Sequence, residues 1–498
     1  MQSEQPIRIV IAGGGTAGWM AAAAFARFLG PRFRITLVES EEIGTVGVGE
    51  ATIPQIRLFN ASLGIDEDAF MAATQASFKL AIEFVGWTKG GRYMHAFGDV
   101  GRENGLLAFQ HSWLRGMAEG VARPLGAYSL NNAAALANRM QRGPARTAKL
   151  LPEMPYAFHF DAGLYARFLR GLAVSGGVTR VEGRIVAVER DGESGDVKAL
   201  RLDGEREVAG DLFLDCTGFR GLLIEQTLHA GYEEWGHWLP TDSAIAVQTK
   251  SVGPAMPYTR AAAHRAGWQW RIPLRHRVGN GLVYARDFLD DDSARALLDA
   301  RIEGEALIEP RIIRFQAGRR RKLWDRNVIA LGLASGFVEP LESTSIHLIM
   351  IAVTRLVQLF PFGGIGEGVT ARFNALGRTE IERIRDFIIL HYHLNQRADN
   401  GFWDRCRTMA IPDSLAERIA AFRDGAIAWQ ASDDLFRVDS WVQVMLGQRL
   451  EPRSHHHMGR MIVDGELRSA LGELRSGIAR AVARMPAHQQ FLERYIAA

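Results

Sequence analysis

Ile7-Arg8-Ile9-Val10-Ile11-Ala12-Gly13-Gly14-Gly15-Thr16-Ala17-Gly18 is the stretch on which the fold turns. Ile7 to Ile11 is a short apolar run closed by glycines, and it reads as a buried strand. The alanine-rich run from Trp19 to Phe28 is a good helix former, and Gly30-Pro31 stops it. Arg34 to Val38 forms a second apolar strand that ends at Glu39. Strand, helix and strand make a compact βαβ unit, so the sheet starts parallel. Gly13-x-Gly15-x-x-Gly18 sits at the strand-to-helix turn. Glycines there permit the tight turn and let the backbone approach a pyrophosphate, whose charge the helix N-terminus favours. Glu39 lies where an acid accepts hydrogen bonds from ribose hydroxyls. A glycine pattern alone is a weak signal. Strand, glycines, helix and acid in register point to a bound dinucleotide.

Outward from this unit, Phe70 to Phe84 reads as helical, and Val178 to Leu214 as short strands with turns at Asp191-Gly192 and Asp203-Gly204. Asp211 to Asp215 is an apolar strand running into Cys216-Thr217-Gly218. Val328 to Leu331 runs into Gly332. Both resemble the additional nucleotide- and flavin-contacting segments of FAD enzymes. With a single fingerprint, the dinucleotide is read as FAD, and reducing power must arrive from elsewhere. From Arg372 onward the chain reads as mainly helical, with Ile381, Ile384 and Ile388 at helical spacing. Pro361 to Gly366 is a plausible boundary. The expected fold class is α/β: an FAD-binding, Rossmann-like box domain of the GxGxxG type over residues 1–365, with a mainly helical domain over 366–498 completing the substrate site.

The 498 residues are 47% hydrophobic and 23% charged, with a net charge of +3. That balance suits a globular protein with a large core and implies neither a nucleic-acid nor a membrane partner. Arg319-Arg320-Arg321-Lys322 reads as a solvated turn before a strand. Two cysteines, Cys216 and Cys406, make no disulfide framework and fit a reducing cytoplasm. No signal peptide is read in the first residues, and Leu348 to Val353 is too short to span a bilayer. His455-His456-His457 reads as a polar loop, and no metal site is expected. His391 and His393 are expected to flank a helix end.

Three further features carry chemistry only in company. Trp268-Gln269-Trp270-Arg271-Ile272-Pro273, if extended, places Trp268, Trp270 and Ile272 on one bulky face and Gln269 and Arg271 on the other. Alone, it is a core strand. Lys79, in Ser77-Phe78-Lys79-Leu80-Ala81, would ordinarily be a solvated surface charge, but its apolar neighbours permit burial. Glu342, before Ser343 and Thr344, would ordinarily be an acid near a helix start.

These segments together resemble the flavin-dependent halogenases of the tryptophan halogenase family over nearly the whole chain. The carrying residues are Gly13 to Trp19, Gly47-Val48-Gly49-Glu50-Ala51-Thr52-Ile53-Pro54, Lys79, His95-Ala96-Phe97, Trp268 to Pro273, and Phe337 to Ile346. The resemblance implies a two-component enzyme supplied by a separate NAD(P)H-dependent flavin reductase. FAD, used as FADH2, would react with O2 to a flavin hydroperoxide that a chloride or bromide ion attacks, giving hypohalous acid. Lys79 would hold that oxidant by hydrogen bonding or as a haloamine, and Glu342 would assist as a second catalytic group. The residues implied to bind FAD are Gly13, Gly15, Thr16, Ala17, Gly18, Glu39, Ala51, Ile185, Leu333 and Ile346. Thr344 and Ser345 would bind halide through their backbone. His95, Phe97 and Phe436 would contact a small aromatic substrate. Trp268, Trp270, Ile272 and Pro273 would keep that substrate from the flavin. The oligomeric state is left open.

The chain departs from the family pattern in two places. A Ser-Thr-Gly-Ile segment becomes Ser343-Thr344-Ser345-Ile346, which loses glycine's freedom at Ser345; a changed halide pocket is expected, with the choice between bromide and chloride left open. A Phe-Trp pair becomes Phe436-Arg437, with Trp441 nearby but out of register. Free tryptophan is therefore not the expected substrate, and indole or another electron-rich arene is. Two other readings share the flavin fold. One is a single-component FAD monooxygenase that hydroxylates an aromatic substrate. The other is a flavin-binding protein without catalysis.

Overall fold

The computed structural model describes residues 6–42, 49–89, 91–103, 105–143, 153–398 and 401–494. Met1 to Glu4, Gly47 and Val48 therefore lie outside the described residues. Two compact units emerge. The first comprises Met1–Ala76, Phe160–His237 and Phe315–Glu382. The second comprises Ser77–His159, Trp238–Arg314 and Arg383–Ala498. The division into 1–365 and 366–498 followed chain order, whereas the observed units interleave.

In the first unit a six-stranded sheet runs in the order Trp324–Asp325, Val328–Ala330, Leu212–Asp215, Ile7–Ala12, Phe33–Glu39, Thr179–Glu182. Ile7–Ala12 pairs in parallel with strands on both sides. A central parallel strand is covered on both faces and must be apolar throughout; Ile9, Val10, Ile11 and Ala12 are each 0–1% exposed. The helix Thr16–Phe28 buries Gly18 to Phe25. Its alanines keep the side chains short where it packs. This is the parallel α/β arrangement expected from the opening stretch.

Asp215, fully buried at the end of Leu212–Asp215, organises the turn beyond it. Its carboxylate accepts from Thr217 N (3.0 Å) and Oγ1 (2.6 Å), and from the N–H groups of Leu223 and Ile224 (2.8 Å each). Asp215→Ala strands these buried donors and should cost about 3 kcal/mol or more. A lowered chemical-denaturation midpoint, with a smaller drop for Asp215→Asn, is the expected result. An unchanged midpoint would show the turn does not depend on this carboxylate.

The second unit holds a seven-stranded sheet in the order Arg311–Arg314, Ser243–Thr249, Val278–Tyr284, Gly267–Pro273, Tyr258–His264, Ala81–Val85, Arg92–Ala96. All neighbours are antiparallel except Tyr258–His264 with Ala81–Val85. Helices of the C-terminal region, among them Val438–Gly447 and Asp464–Arg484, belong to this unit. Glu367–His393 is one long helix, and Ile381, Ile384 and Ile388 are all buried as their spacing required.

Two expectations are corrected. The helix read over Phe70 to Phe84 is Glu67–Thr74, capped by Asp66 and ended by Gln75 in the left-handed region (φ 53°). Ser77–Lys79 and Ala81–Val85 are strands. Residues 77–82 are buried on both faces, which erases the polar-apolar alternation that marks a strand. The basic run at Arg319 is also no solvated turn. Arg319 and Arg320 are 7% and 6% exposed on the strand Gly318–Arg320. Arg319 meets Glu233 (2.7 Å) and Glu382 (3.0 Å), while Arg320 meets Glu225 (2.8 Å).

Candidate active site

The first unit forms a cradle at the glycine turn. Gly13 has φ +112°, and a Cβ there would lie 2.4 Å from the Cys216 carbonyl oxygen. A Cβ on Gly18 would lie 1.9 Å from the Gly13 carbonyl oxygen. Gly15 faces open space, with nothing within 4 Å of such an atom. It also N-caps Thr16–Phe28 without a side-chain hydrogen bond. An uncapped, glycine-lined helix N-terminus beside open space fits a pyrophosphate. Glu39 ends its strand as expected. It accepts from Trp19 Nε1 (3.2 Å) and Arg180 Nε (2.5 Å), with Arg170 3.5 Å away. Arg170 and Arg180 were not singled out in the sequence, because only the pairing of Thr179–Glu182 with Phe33–Glu39 brings Arg180 to Glu39.

Ala51 lies on the short strand Glu50–Ala51 and is buried. Leu333 is 39% exposed in the turn Gly332–Ala334, and Ile346 is buried in the helix Ser345–Gln358. Ile185 packs against the core of this unit beside Val181 and Val188, so packing alone accounts for it.

Glu342 is 1% exposed in the short turn Pro340–Glu342. Thr344 is fully buried and N-caps Ser345–Gln358 without a side-chain cap. Its Oγ1 meets no hydrogen-bond partner among the described residues. An uncapped helix start with a buried hydroxyl suits a small anion. The left-handed residue here is Ser343 (φ 60°, ψ 37°), whereas Ser345 opens the helix. Glycine's freedom is therefore not what Ser345 gives up, and any altered halide preference rests on its side chain.

In the second unit Lys79 is fully buried at the end of Ser77–Lys79. Its Nζ lies 5.1 Å from the centre of the half-buried Phe97 ring, a cation–π distance. Ala157 is its cross-strand neighbour, and so small a residue leaves room beside the lysine. His95, on Arg92–Ala96, has its ring 5.6 Å from Phe387 and 6.2 Å from Phe436. Phe387 and Phe436 stack at 3.8 Å and 16°, and Trp441 meets Phe387 edge-on at 4.8 Å. Phe387 was missed because helical periodicity marks it only as core. Trp441, out of register in the sequence, joins the cluster through the helix Val438–Gly447, with its Nε1 unbonded among the described residues. Arg437 is mostly exposed and pairs with Asp99 at 2.9 Å.

Trp268 and Trp270 stand on Gly267–Pro273 with ring centres 6.1 Å apart. They and Ile272 are 1%, 8% and 8% exposed. Gly281, on the next strand, makes room for Trp270, since a Cβ there would lie 1.9 Å from the indole. Gln269 and Arg271 line a cavity of about 320 Å³ with Arg92, Arg260, Arg301 and Glu303, as the alternation of a strand requires. Ser77 Oγ donates to the Pro273 carbonyl at 2.6 Å, so the lysine strand is tied to the tryptophan strand.

His457 begins a short helical turn, and burial together with His456 and His455 lowers nearby His111 to about 4. Among the described residues no group of side chains could hold a metal, and no helix is long and apolar enough to cross a membrane.

The tryptophan halogenase family model matches residues 8–464. The chain is 37% identical to tryptophan 6-halogenase SttH of Streptomyces toxytricini over 446 residues, 85% of each chain. Among solved structures, a flavin-dependent halogenase from Xanthomonas campestris is 51% identical with a TM-score of 0.96, over 99% of both chains. The flavin-dependent halogenase BrvH from Brevundimonas sp. BAL3 is 44% identical with a TM-score of 0.95, over 99% of this chain and 100% of that one.

Proposed function

The chain belongs to the tryptophan halogenase family of flavin-dependent halogenases, and from that premise we propose that it halogenates an indole-like arene other than free tryptophan, with Lys79 presenting the halogen. The observation that carries this reading is a fully buried lysine whose ammonium faces Phe97, in the same unit as the aromatic cluster of His95, Phe387, Phe436 and Trp441.

Bound reduced FAD supplies, with O2, the oxidation of halide to hypohalous acid. Gly13, Gly15, Thr16, Ala17, Gly18, Glu39, Ala51, Leu333 and Ile346 would hold it, and the glycine geometry fits its pyrophosphate. Ile185 is a weaker member of the set, given its packing. A single dinucleotide fingerprint makes a separate NAD(P)H-dependent reductase the source of FADH2. The backbone of Thr344 and Ser345 would hold the halide.

Lys79 acts by donating an N–H to the oxygen of hypohalous acid. As the arene attacks the halogen, the halogen–oxygen bond breaks and the lysine proton leaves with the oxygen as water. Glu342 would assist as a second catalytic group, positioning the oxidant, stabilising the cationic arene intermediate or accepting its proton. Trp268, Trp270, Ile272 and Pro273 form a rigid apolar strand suited to holding the arene away from the flavin. Phe436-Arg437 and the Arg437–Asp99 pair replace an aromatic grip with a charged, exposed edge, which favours indole or a larger arene over the amino acid.

The test is turnover with a flavin reductase, equal chloride and bromide, and indole beside tryptophan, followed by mass spectrometry. Halide-dependent mass shifts on indole are expected. Oxygenated products without halide dependence would favour the monooxygenase. No turnover with any arene would favour the non-catalytic flavin protein. Tryptophan as the best substrate by a wide margin would refute the substrate reading.

A further inference from the structure

The lysine strand is bracketed by two buried histidines outside the family-derived site, His159 and His488, each fully buried. Their hydrogen bonds assign the protons. The Pro273 carbonyl can only accept, so Ser77 Oγ–H donates to it at 2.6 Å. The Ser77 oxygen then accepts from His159 Nδ1–H at 3.2 Å. Burial keeps the ring neutral, so His159 Nε2 is bare and accepts from Thr259 Oγ1–H at 2.9 Å. His159 is thus a neutral imidazole with both nitrogens used and its tautomer set by a backbone carbonyl. His488 is set in the same way. Its Nε2 accepts from Phe78 N at 3.3 Å, and its Nδ1–H donates to the Ala255 carbonyl at 2.7 Å.

The electrostatics agree with the geometry. Burial, then the Lys79 charge, then His488 hold His159 far below the usual histidine range, while burial takes His488 to about 4. A neutral His159 ring adds no repulsion to the Lys79 charge. Ser77 and Lys79 lie two residues apart and share one face of the strand. Ser77 pairs with His159 and Lys79 with Ala157 in the same ladder. The anchor at Pro273 therefore acts on the face from which Lys79 projects.

We propose that His159 is a positioning residue for halogen transfer: through Ser77 and Pro273 it locks the lysine strand to the Trp268–Pro273 strand, so that Lys79 presents the halogen to the arene at a fixed place. The inference rests on the reading of Lys79 above. It adds the relay Thr259–His159–Ser77–Pro273, which the sequence presented only as unconnected residues. A slack lysine would still let halide be oxidised, but hypohalous acid would escape before the arene captured it.

The experiment compares His159→Phe, which keeps bulk and loses both hydrogen bonds, His159→Asn, which keeps an N–H near the Nδ1 position, and Ser77→Ala, which cuts the link to Pro273. Each full-length enzyme, loaded with FAD, is run with a flavin reductase, bromide and indole. The readouts are flavin consumption, arene kcat and KM, and hypohalous acid caught by a soluble scavenger. His159→Phe and Ser77→Ala should consume flavin as the parent does, with arene KM within about twofold. Product should fall about tenfold, with a matching rise in trapped hypohalous acid. His159→Asn should recover most of the product. Should His159→Phe fail to fold, Ser77→Ala and His159→Asn carry the same comparison. Unchanged partition in Ser77→Ala, or product loss with no trapped oxidant, overturns the proposal. Lys79→Ala run in parallel separates the two claims. If it retains turnover, the lysine reading fails; if it is inactive while the other variants stay fully coupled, only the positioning role fails.

Discussion

Lys79→Ala should abolish arene halogenation, by about three orders of magnitude or more in kcat, while FAD binding and fold should persist. The separation follows from placement. Lys79 belongs to the second unit, whereas the glycine cradle for FAD belongs to the first. The ammonium is fully buried and lies 5.1 Å from the Phe97 ring, a cation–π distance. Lys79→Met keeps most of the volume and loses only the donor, so it should be as inactive as the alanine variant and fold at least as well. Lys79→Arg keeps a charge but gives up its proton far less readily, and should remain strongly impaired. The checks are halogenated product by mass spectrometry and flavin content by absorbance. Activity of Lys79→Met within about tenfold of the parent would remove lysine from the chemistry.

Gly18→Ala and Gly15→Ala should both lose FAD, for different reasons that one pair of measurements separates. At Gly18 the new Cβ would stand 1.9 Å from the Gly13 carbonyl oxygen. Both atoms belong to the turn, so the backbone must open, and overpacking of this kind costs about 1–3 kcal/mol or more. Its denaturation midpoint should fall and its FAD affinity should vanish. At Gly15 nothing within 4 Å of the added atom obstructs it. That variant should unfold like the parent yet bind FAD about a hundredfold more weakly, because the methyl group occupies the space the pyrophosphate needs. Flavin-fluorescence titration and chemical denaturation report the two effects. Parent-like FAD affinity in Gly15→Ala would place the pyrophosphate elsewhere.

The parts of this protein legible from sequence are those whose physics is local. Strand, glycine turn, helix and Glu39 are contiguous, and each residue type is dictated by the backbone it must adopt. Trp268 to Pro273 announces an extended segment because alternation is a property of neighbours two apart. The Trp270 face needed Gly281 across the ladder, which no local pattern could indicate. The halide segment was read correctly as a helix start, yet the left-handed residue proved to be Ser343 and not Ser345. That difference depends on how the turn Pro340–Glu342 enters the helix.

What the sequence by itself determined is the nucleotide-binding βαβ unit, the helical character after Arg372 and the extended tryptophan segment. Their residue patterns and turn residues each favour one local structure. Tertiary structure alone decided that Lys79 stands on a strand and not a helix. The strand is stabilised by its ladder with Ala157–Phe160, and a segment buried on both faces carries no periodic signature of its own. Tertiary structure likewise turned Arg319 and Arg320 inward to Glu233, Glu382 and Glu225. It also gathered Thr259, His159, Ser77 and Pro273 into one chain of hydrogen bonds. Those residues are far apart in sequence, and a hydrogen bond between them exists only once the sheet has closed.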